Sequence, residues 1–91
     1  MNELVDAFLN YLSVERGLSR NTIISYQEDI NAYIDFLKGT HIDSFSLTKK
    51  NDITDFMLSQ KDKGLASNSV ARRLAAIKAF YRFLVRERML K

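Results

Sequence analysis

The 91-residue chain contains no proline and only three glycines, Gly17, Gly39 and Gly64, each of which directly follows a stretch with helical apolar spacing. Average usage would place about four or five prolines and about six glycines in a chain of this length, so turns here are few and short. A glycine just past an amphipathic stretch is where a left-handed residue without a Cβ penalty ends a helix. The sequence therefore predicts helices joined by tight corners within one small domain over residues 1–91, with no room for a second domain.

Before Gly17, Leu4, Val5, Phe8, Leu9 and Leu12 recur at spacings of three and four, predicting a first helix over about residues 2–16. Ser19 is the expected N-cap of a second, in which Ile23, Tyr26, Ile30, Tyr33, Ile34 and Leu37 form one stripe running to Lys38. From Gly39 to Leu47 the helical pattern lapses. Ile42, Phe45 and Leu47 alternate there, but a lone strand has no partner, so an ordered loop with its apolar residues tucked into the core is expected. Thr48 is the expected cap of a third helix that buries Ile53, Phe56, Met57 and Gln60 and stops at Gly64. From Ser67 onward Val70, Leu74, Ile77, Tyr81, Leu84 and Val85 keep the spacing to the end, which makes the fourth helix the longest. No breaker or cap stops it at Lys91, so the sequence reads as part of a longer chain.

With no cysteine there is no disulfide framework and no thiolate zinc site, and His41 by itself builds no metal cluster. No cofactor and no small-molecule substrate are expected. No apolar run reaches the roughly 18 residues of a membrane span, and Asn2, Glu3 and Asp6 are a poor start for a signal peptide. A soluble, cytoplasmic protein without a membrane partner is the expectation.

Charge separates the chain into two parts. Residues 1–63 hold seven basic and ten acidic side chains, a balance of −3, whereas residues 64–91 hold seven basic and one acidic, a balance of +6. Arg72, Arg73, Lys78, Arg82, Arg86, Arg88 and Lys91 have only Glu87 for compensation. A solvated helix normally mixes signs to gain pairs one turn apart. At about 100° per residue Lys78, Arg82 and Arg86 form one stripe, flanked by Ala71, Ala75 and Ala79, whose small side chains let a helix backbone approach a polyanion. A snorkelling basic face on a core helix is the plainer account of such a stripe. An internal echo favours nucleic acid: Gly17-Leu18-Ser19-Arg20-Asn21-Thr22 and Gly64-Leu65-Ala66-Ser67-Asn68-Ser69 share the order glycine, leucine, small, variable, asparagine, hydroxyl. Shared capping chemistry produces most of that likeness, and two such helix N-termini also offer hydroxyls, amides and free N–H groups to phosphates.

Catalytic constellations are nearly absent. His41 has no nucleophile or carboxylate spaced to make a triad and reads as an exposed loop residue. Glu28, Asp29 and Asp35, with Asp52 and Asp55, read as solvated or helix-dipole carboxylates. Tyr11, Tyr26, Tyr33 and Tyr81 follow or border the apolar stripes and read as core residues with wet hydroxyl ends.

Two stretches carry a resemblance to a known family. Gly17 through Thr22, continued by Tyr26, Asp29-Ile30, Tyr33 and Phe36-Leu37, is similar to the N-terminal core-binding domain of tyrosine recombinases (phage integrases), most closely the Xer type. The stretch Ala71-Arg72-Arg73-Leu74-Ala75-Ala76-Ile77-Lys78-Ala79-Phe80-Tyr81-Arg82-Phe83-Leu84 resembles the family's Ala-Arg-Arg-Leu-Ser-Ala-Leu-Arg-Ser-Phe-Tyr-Arg-Phe-Leu. Departures are Ala66, where a capping Ser or Thr is common, and Ala75 and Ala79 in place of serines; Ser67 is then the alternative cap.

The resemblance implies an all-α, four- to five-helix orthogonal bundle, a SAM-like core-binding domain whose second and fourth helices meet the major groove of double-stranded DNA. It implies DNA contacts from Arg20, Asn21, Thr22 and Ser25, and from Ser67, Asn68, Ser69, Arg72 and Arg73, with Lys78 and Arg82 of the basic stripe added to them. Hydroxyls, amides and N-terminal N–H groups fix phosphates, and an arginine early in a helix can reach guanine O6 and N7. Ile24, off the core stripe, is assigned to a thymine methyl or a neighbouring subunit. The family's catalytic arginines, lysine, His-x-x-Arg and tyrosine nucleophile belong to a domain beyond Lys91, so no residue of this chain is catalytic. The implied role is DNA recombination or integration at a recombination site, with a second recombinase subunit as partner. In Xer-type proteins that role is chromosome dimer resolution, linked to chromosome partition and cell division, and the likeness leans to the D-type. The competing expectations are a helical protein-interaction module binding an acidic partner, and a helix-turn-helix regulator of operator DNA.

Overall fold

The computed structural model describes residues 1–90, so Lys91, the expected last residue of the final helix, lies outside it. Among the described residues there are four α-helices and one 3-10 turn, and no strand: α1 (Asn2–Val14), α2 (Arg20–Gly39), the 3-10 turn (Phe45–Leu47), α3 (Lys50–Asp62) and α4 (Ser67–Arg86). The all-α bundle follows the helical spacing read from the sequence, with four helices and no fifth among the described residues.

The long helices α2 and α4 form the central pair. Helix α1 packs on both, and α3 packs on both, with the α1 and α3 backbones held apart. This arrangement comes from the apolar stripes. Val5, Phe8 and Leu12 of α1, Ile30, Tyr33, Ile34 and Leu37 of α2, Phe56 of α3, and Ala76, Ile77, Phe80, Phe83 and Leu84 of α4 are all buried in one cluster. Phe8 is the aromatic hub, with ring centroids 5.3 Å from Phe80 and 5.4 Å from Phe83. Phe45 hooks back from the 3-10 turn onto Phe80 at 4.9 Å, edge to face. Such pairs add about 0.5–1.5 kcal/mol each beyond the area they bury, which helps a small core.

The corners differ in detail from the glycine rule. Gly17 (φ +60°) and Gly64 (φ +89°) do take the left-handed conformation after α1 and α3. Gly39 does not: it is the last residue of α2, and His41 (φ +63°) takes the left-handed position instead. Ile42 N–H donates to Leu37 C=O at 2.9 Å and His41 N–H to Lys38 C=O at 3.1 Å, a Schellman closure shifted two residues past the glycine. The shift places Ile42 against the core, half-buried. Helix α4 also ends where the sequence offered no breaker. Arg88 (φ +57°) is left-handed, Met89 N–H donates to Leu84 C=O at 2.8 Å and Arg88 N–H to Val85 C=O at 3.1 Å, so the helix stops at Arg86 and is the same length as α2.

Four further expectations change. The α3 N-cap is Lys49, not Thr48: Asp52 accepts the Lys49 N–H at 2.7 Å, while the Thr48 hydroxyl donates to Phe45 C=O and closes the 3-10 turn. Neither Ala66 nor Ser67 caps α4 with a side chain, because Ala66 holds the N-cap position and Ser67 is already helical. Leu47 is 59% exposed and Val85 62% exposed. The 3-10 turn rotates Leu47 away from the core, and Val85 is displaced by Leu84 as the last apolar anchor of α4. Tyr33 is fully buried, and its hydroxyl meets not water but the Tyr81 hydroxyl at 2.8 Å, which in turn meets Thr48 Oγ1 at 2.8 Å.

Candidate nucleic-acid interface

The echo in the sequence is an echo in structure. After each left-handed glycine the chain passes through an extended residue, Ser19 (φ −65°, ψ 156°) or Ala66 (φ −62°, ψ 150°), and enters a long helix. Ser19 caps α2 by accepting the Thr22 N–H at 3.2 Å, and the two hydroxyls pair at 2.9 Å. Without a side-chain cap, the first-turn N–H groups of α4 have no acceptor in the helix.

The N-terminal halves of α2 and α4 meet at a cleft of about 290 Å³ lined by Thr22, Ser25, Tyr26, Asp29, Arg72, Ala75 and Ala76. Three of the residues singled out from the sequence, Thr22, Ser25 and Arg72, are thus brought together. The alanines, where the family pattern has bulkier serine at one position, leave the cleft open beside the arginine.

Asp29 organises this site. It lies on the buried stripe, not on a solvated face, and is only 1% exposed. Arg72 grips it side-on, Nε donating to Oδ2 at 3.1 Å and Nη2 to Oδ1 at 2.9 Å. Arg73 Nε stands 3.3 Å from Oδ1 on the other side, and its Nη1 donates to the Gln60 side-chain oxygen of α3. One carboxylate therefore answers two guanidiniums. The Asp29 hydrogen bonds, then its charge, raise the Arg72 pKa further above an already high value, so this arginine is charged at every accessible pH. The side-on grip uses Nε and one Nη2 hydrogen. It leaves the end-on fork, Nη1 and the second Nη2 hydrogen, for another acceptor.

The remaining sequence-derived residues fall in three places. Arg20 and Asn21 are exposed on the first turn of α2; Ser67 and Asn68 are exposed on the first turn of α4, with Ser69 half-buried beside them. Arg73 turns away from the cleft toward Gln60, with its side chain only 19% exposed. Lys78 and Arg82 lie farther along α4, both exposed, and border a shallow apolar surface with Ile53, Tyr81 and Val85. Ile24 is 41% exposed.

A second groove, about 420 Å³, continues from the cleft past Tyr26 between α1 and the C-terminal half of α4, with Arg16, Arg82 and Arg86 on its rim. Arg86 lies 4.6 Å above the Tyr11 ring and donates from Nη1 to its hydroxyl at 3.1 Å. That hydrogen bond holds the Tyr11 hydroxyl below its ordinary pKa.

Sequence reading missed Asp29 and the Tyr11–Arg86 pair. For Asp29 a signal existed: it stands three residues after Tyr26 and four before Tyr33, a core position in α2. Arg73 likewise sits four before Ile77 on the buried stripe of α4. Tyr11 and Arg86 are 75 residues apart, and no local pattern joins them. Among the described residues no group of three or more acidic or histidine side chains stands close enough to hold a metal ion, and no helix is long and apolar enough to cross a membrane.

The family model of the phage integrase N-terminal SAM-like domain matches residues 5–88. The chain is 40% identical over 84 residues to the tyrosine recombinase XerC of Roseiflexus castenholzii, an alignment covering 92% of this chain and 27% of that protein. Against the XerC of Herpetosiphon aurantiacus it is 39% identical over 84 residues, 92% of this chain and 28% of the relative. Against the tyrosine recombinase XerD of Listeria innocua it is 37% identical over 89 residues, 96% of this chain and 30% of the relative. Identity to the two types is nearly equal, so it does not favour the D-type over the C-type. The chain spans less than a third of the length of these relatives. No solved structure matches the chain.

Proposed function

The chain belongs to the phage integrase N-terminal SAM-like domain family, and on that premise we propose that it is the DNA-binding domain of a site-specific tyrosine recombinase, gripping a recombination half-site through α2 and α4. The strand-breaking chemistry then lies in the part of the relatives' length that this chain does not span, and a second recombinase subunit completes the assembly that resolves chromosome dimers. The observation that carries the reading is the cleft in which Thr22 and Ser25 of α2 stand beside Arg72 of α4, at the head of the segment that holds all the excess positive charge.

The division of labour follows from donor chemistry. Arg72, its side edge fixed by Asp29, presents a planar two-donor fork, which suits guanine O6 and N7 or a phosphate. Thr22, Ser25, Asn68 and the first-turn N–H groups of α4 position the backbone, as do Arg20, Asn21, Ser67 and Ser69. Lys78 and Arg82 add charge that draws in the duplex without reading it. Arg73 acts from behind, holding Asp29 and Gln60 together.

Titration of the chain with a fluorescein-labelled mixed-sequence duplex across a salt series tests this. The affinity is expected to fall linearly in log–log form, by about 0.9 per neutralised phosphate. No binding at low salt, or binding indifferent to salt, overturns the DNA reading, and tight binding of poly-glutamate in its place points to the protein-interaction module.

A further inference from the structure

We propose that the groove between α1 and the C-terminal half of α4 is a second, sequence-independent anchor for the same duplex, in which Arg16, Arg82 and Arg86 hold backbone phosphate oxygens. The inference rests on the DNA reading above and extends it to a surface outside the α2–α4 cleft. Three observations carry it.

The first is composition. The rim bears three guanidiniums, and among the described residues the only carboxylate in contact with any of them is Glu87, which accepts from Arg86 Nε at 3.2 Å. The floor is Phe8, Leu12, Ala79 and Phe83, whose side chains offer no hydrogen-bonding group, and the hydroxyls come from Tyr11, already engaged by Arg86, and Tyr26. Three guanidiniums against two tyrosine hydroxyls make the groove donor-rich and positively charged, which favours anionic oxygen.

The second is preorganisation. Stacking on Tyr11 and the hydrogen bond to its hydroxyl fix Arg86 before any ligand arrives. Less side-chain freedom is then lost on binding.

The third is alignment. At about 100° per residue, Asn68, Arg72, Ala75, Ala79, Arg82 and Arg86 fall on one face of α4. From Arg72 to Arg86 that face runs about 21 Å at about 1.5 Å per residue, close to the rise of about six base pairs at about 3.4 Å each. The cleft and the groove share Tyr26 and sit at the two ends of this face. A duplex that lies along this face from Arg72 reaches the arginine rim. Arg16, at the α1–α2 corner, brings a charge from outside α4 to the same rim.

The test compares the wild-type chain, the double variant Arg16→Gln/Arg82→Gln and Glu87→Gln on two labelled duplexes of unrelated sequence across a salt series. The double variant is expected to bind both duplexes more weakly by the same factor, with a salt slope shallower by about one for each phosphate contact removed. Glu87→Gln, which frees Arg86 of its competitor, is expected to bind both more tightly. Thermal melts of all three proteins in the same buffers separate lost contacts from lost fold. If the wild type binds with a steep salt dependence and the double variant matches it in affinity and slope, the anchor is wrong and the DNA reading stands. A loss confined to one of the two duplexes overturns the sequence-independent role. If the wild type binds neither duplex, the DNA reading fails and the anchor fails with it.

Discussion

Asp29 and Arg72 are joined by two parallel hydrogen bonds of 2.9 and 3.1 Å, although one is buried in the α2 stripe and the other is half exposed in the cleft. The carboxylate is the structural partner and the guanidinium the outward-facing one. This asymmetry separates stability from binding.

Asp29→Ala leaves the mostly buried Arg73 guanidinium facing no counter-charge, and breaking a buried pair from that side costs about 3 kcal/mol. Arg72→Ala costs about 1 kcal/mol or less, because its side chain is 50% exposed and Arg73 still faces Asp29. For DNA the order reverses. Arg72→Ala is expected to lose about 1–3 kcal/mol at one base position if the fork reads a base, or to weaken all sequences alike if it holds phosphate. Urea denaturation and duplex titration on the same two variants measure both halves.

The hydroxyl chain Tyr33–Tyr81–Thr48 gives the fold an alkaline limit. Burial raises the pKa of both tyrosines above their ordinary value. A group whose pKa is raised on folding contributes stability below its unfolded pKa and loses it as pH rises. The contribution of this pair is therefore expected to be flat from neutral pH to about 10, the ordinary tyrosine value, and to fall above it. Tyr33→Phe, which costs about 1 kcal/mol at neutral pH, is expected to reduce that alkaline loss in melts between neutral and strongly alkaline buffer. An unchanged alkaline slope in the variant contradicts the role given to this pair.

The glycines divide by conformation. Gly39 is helical and an added Cβ meets no atom within 4 Å, so Gly39→Ala is expected to stabilise by about 0.5–1 kcal/mol. Gly17→Ala and Gly64→Ala also have free space, but their positive φ makes each cost about 1–2 kcal/mol. For a domain of this size that is a Tm rise of several degrees in the first case and a fall in the other two, at about 4–8 °C per kcal/mol.

Neighbouring residues at the end of α4 are expected to behave oppositely. Leu84 is fully buried, and Leu84→Ala costs about 2–5 kcal/mol through lost contacts and the cavity left behind. Val85 is exposed, so Val85→Ser stays within about 0.5 kcal/mol. Denaturant midpoints of the two variants check this directly.

The stripes of α1, α2 and α4, the Ser19 cap and the left-handed Gly17 and Gly64 were all legible in the sequence, because each rests on residues within one or two helical turns of each other. So was the charge division that marks α4. What only the tertiary structure decided lies in contacts between distant segments. Phe45 and Ile42 pack the loop onto the core, and the left-handed turn after α2 falls at His41 and the N-cap of α3 at Lys49. Asp29 has the spacing of a core residue and the chemistry of a surface one. It stays buried only because Arg72 and Arg73, more than forty residues away, arrive on α4 to satisfy it. A buried charge is tolerated when its partners surround it, and a linear pattern does not reveal which partners packing will supply.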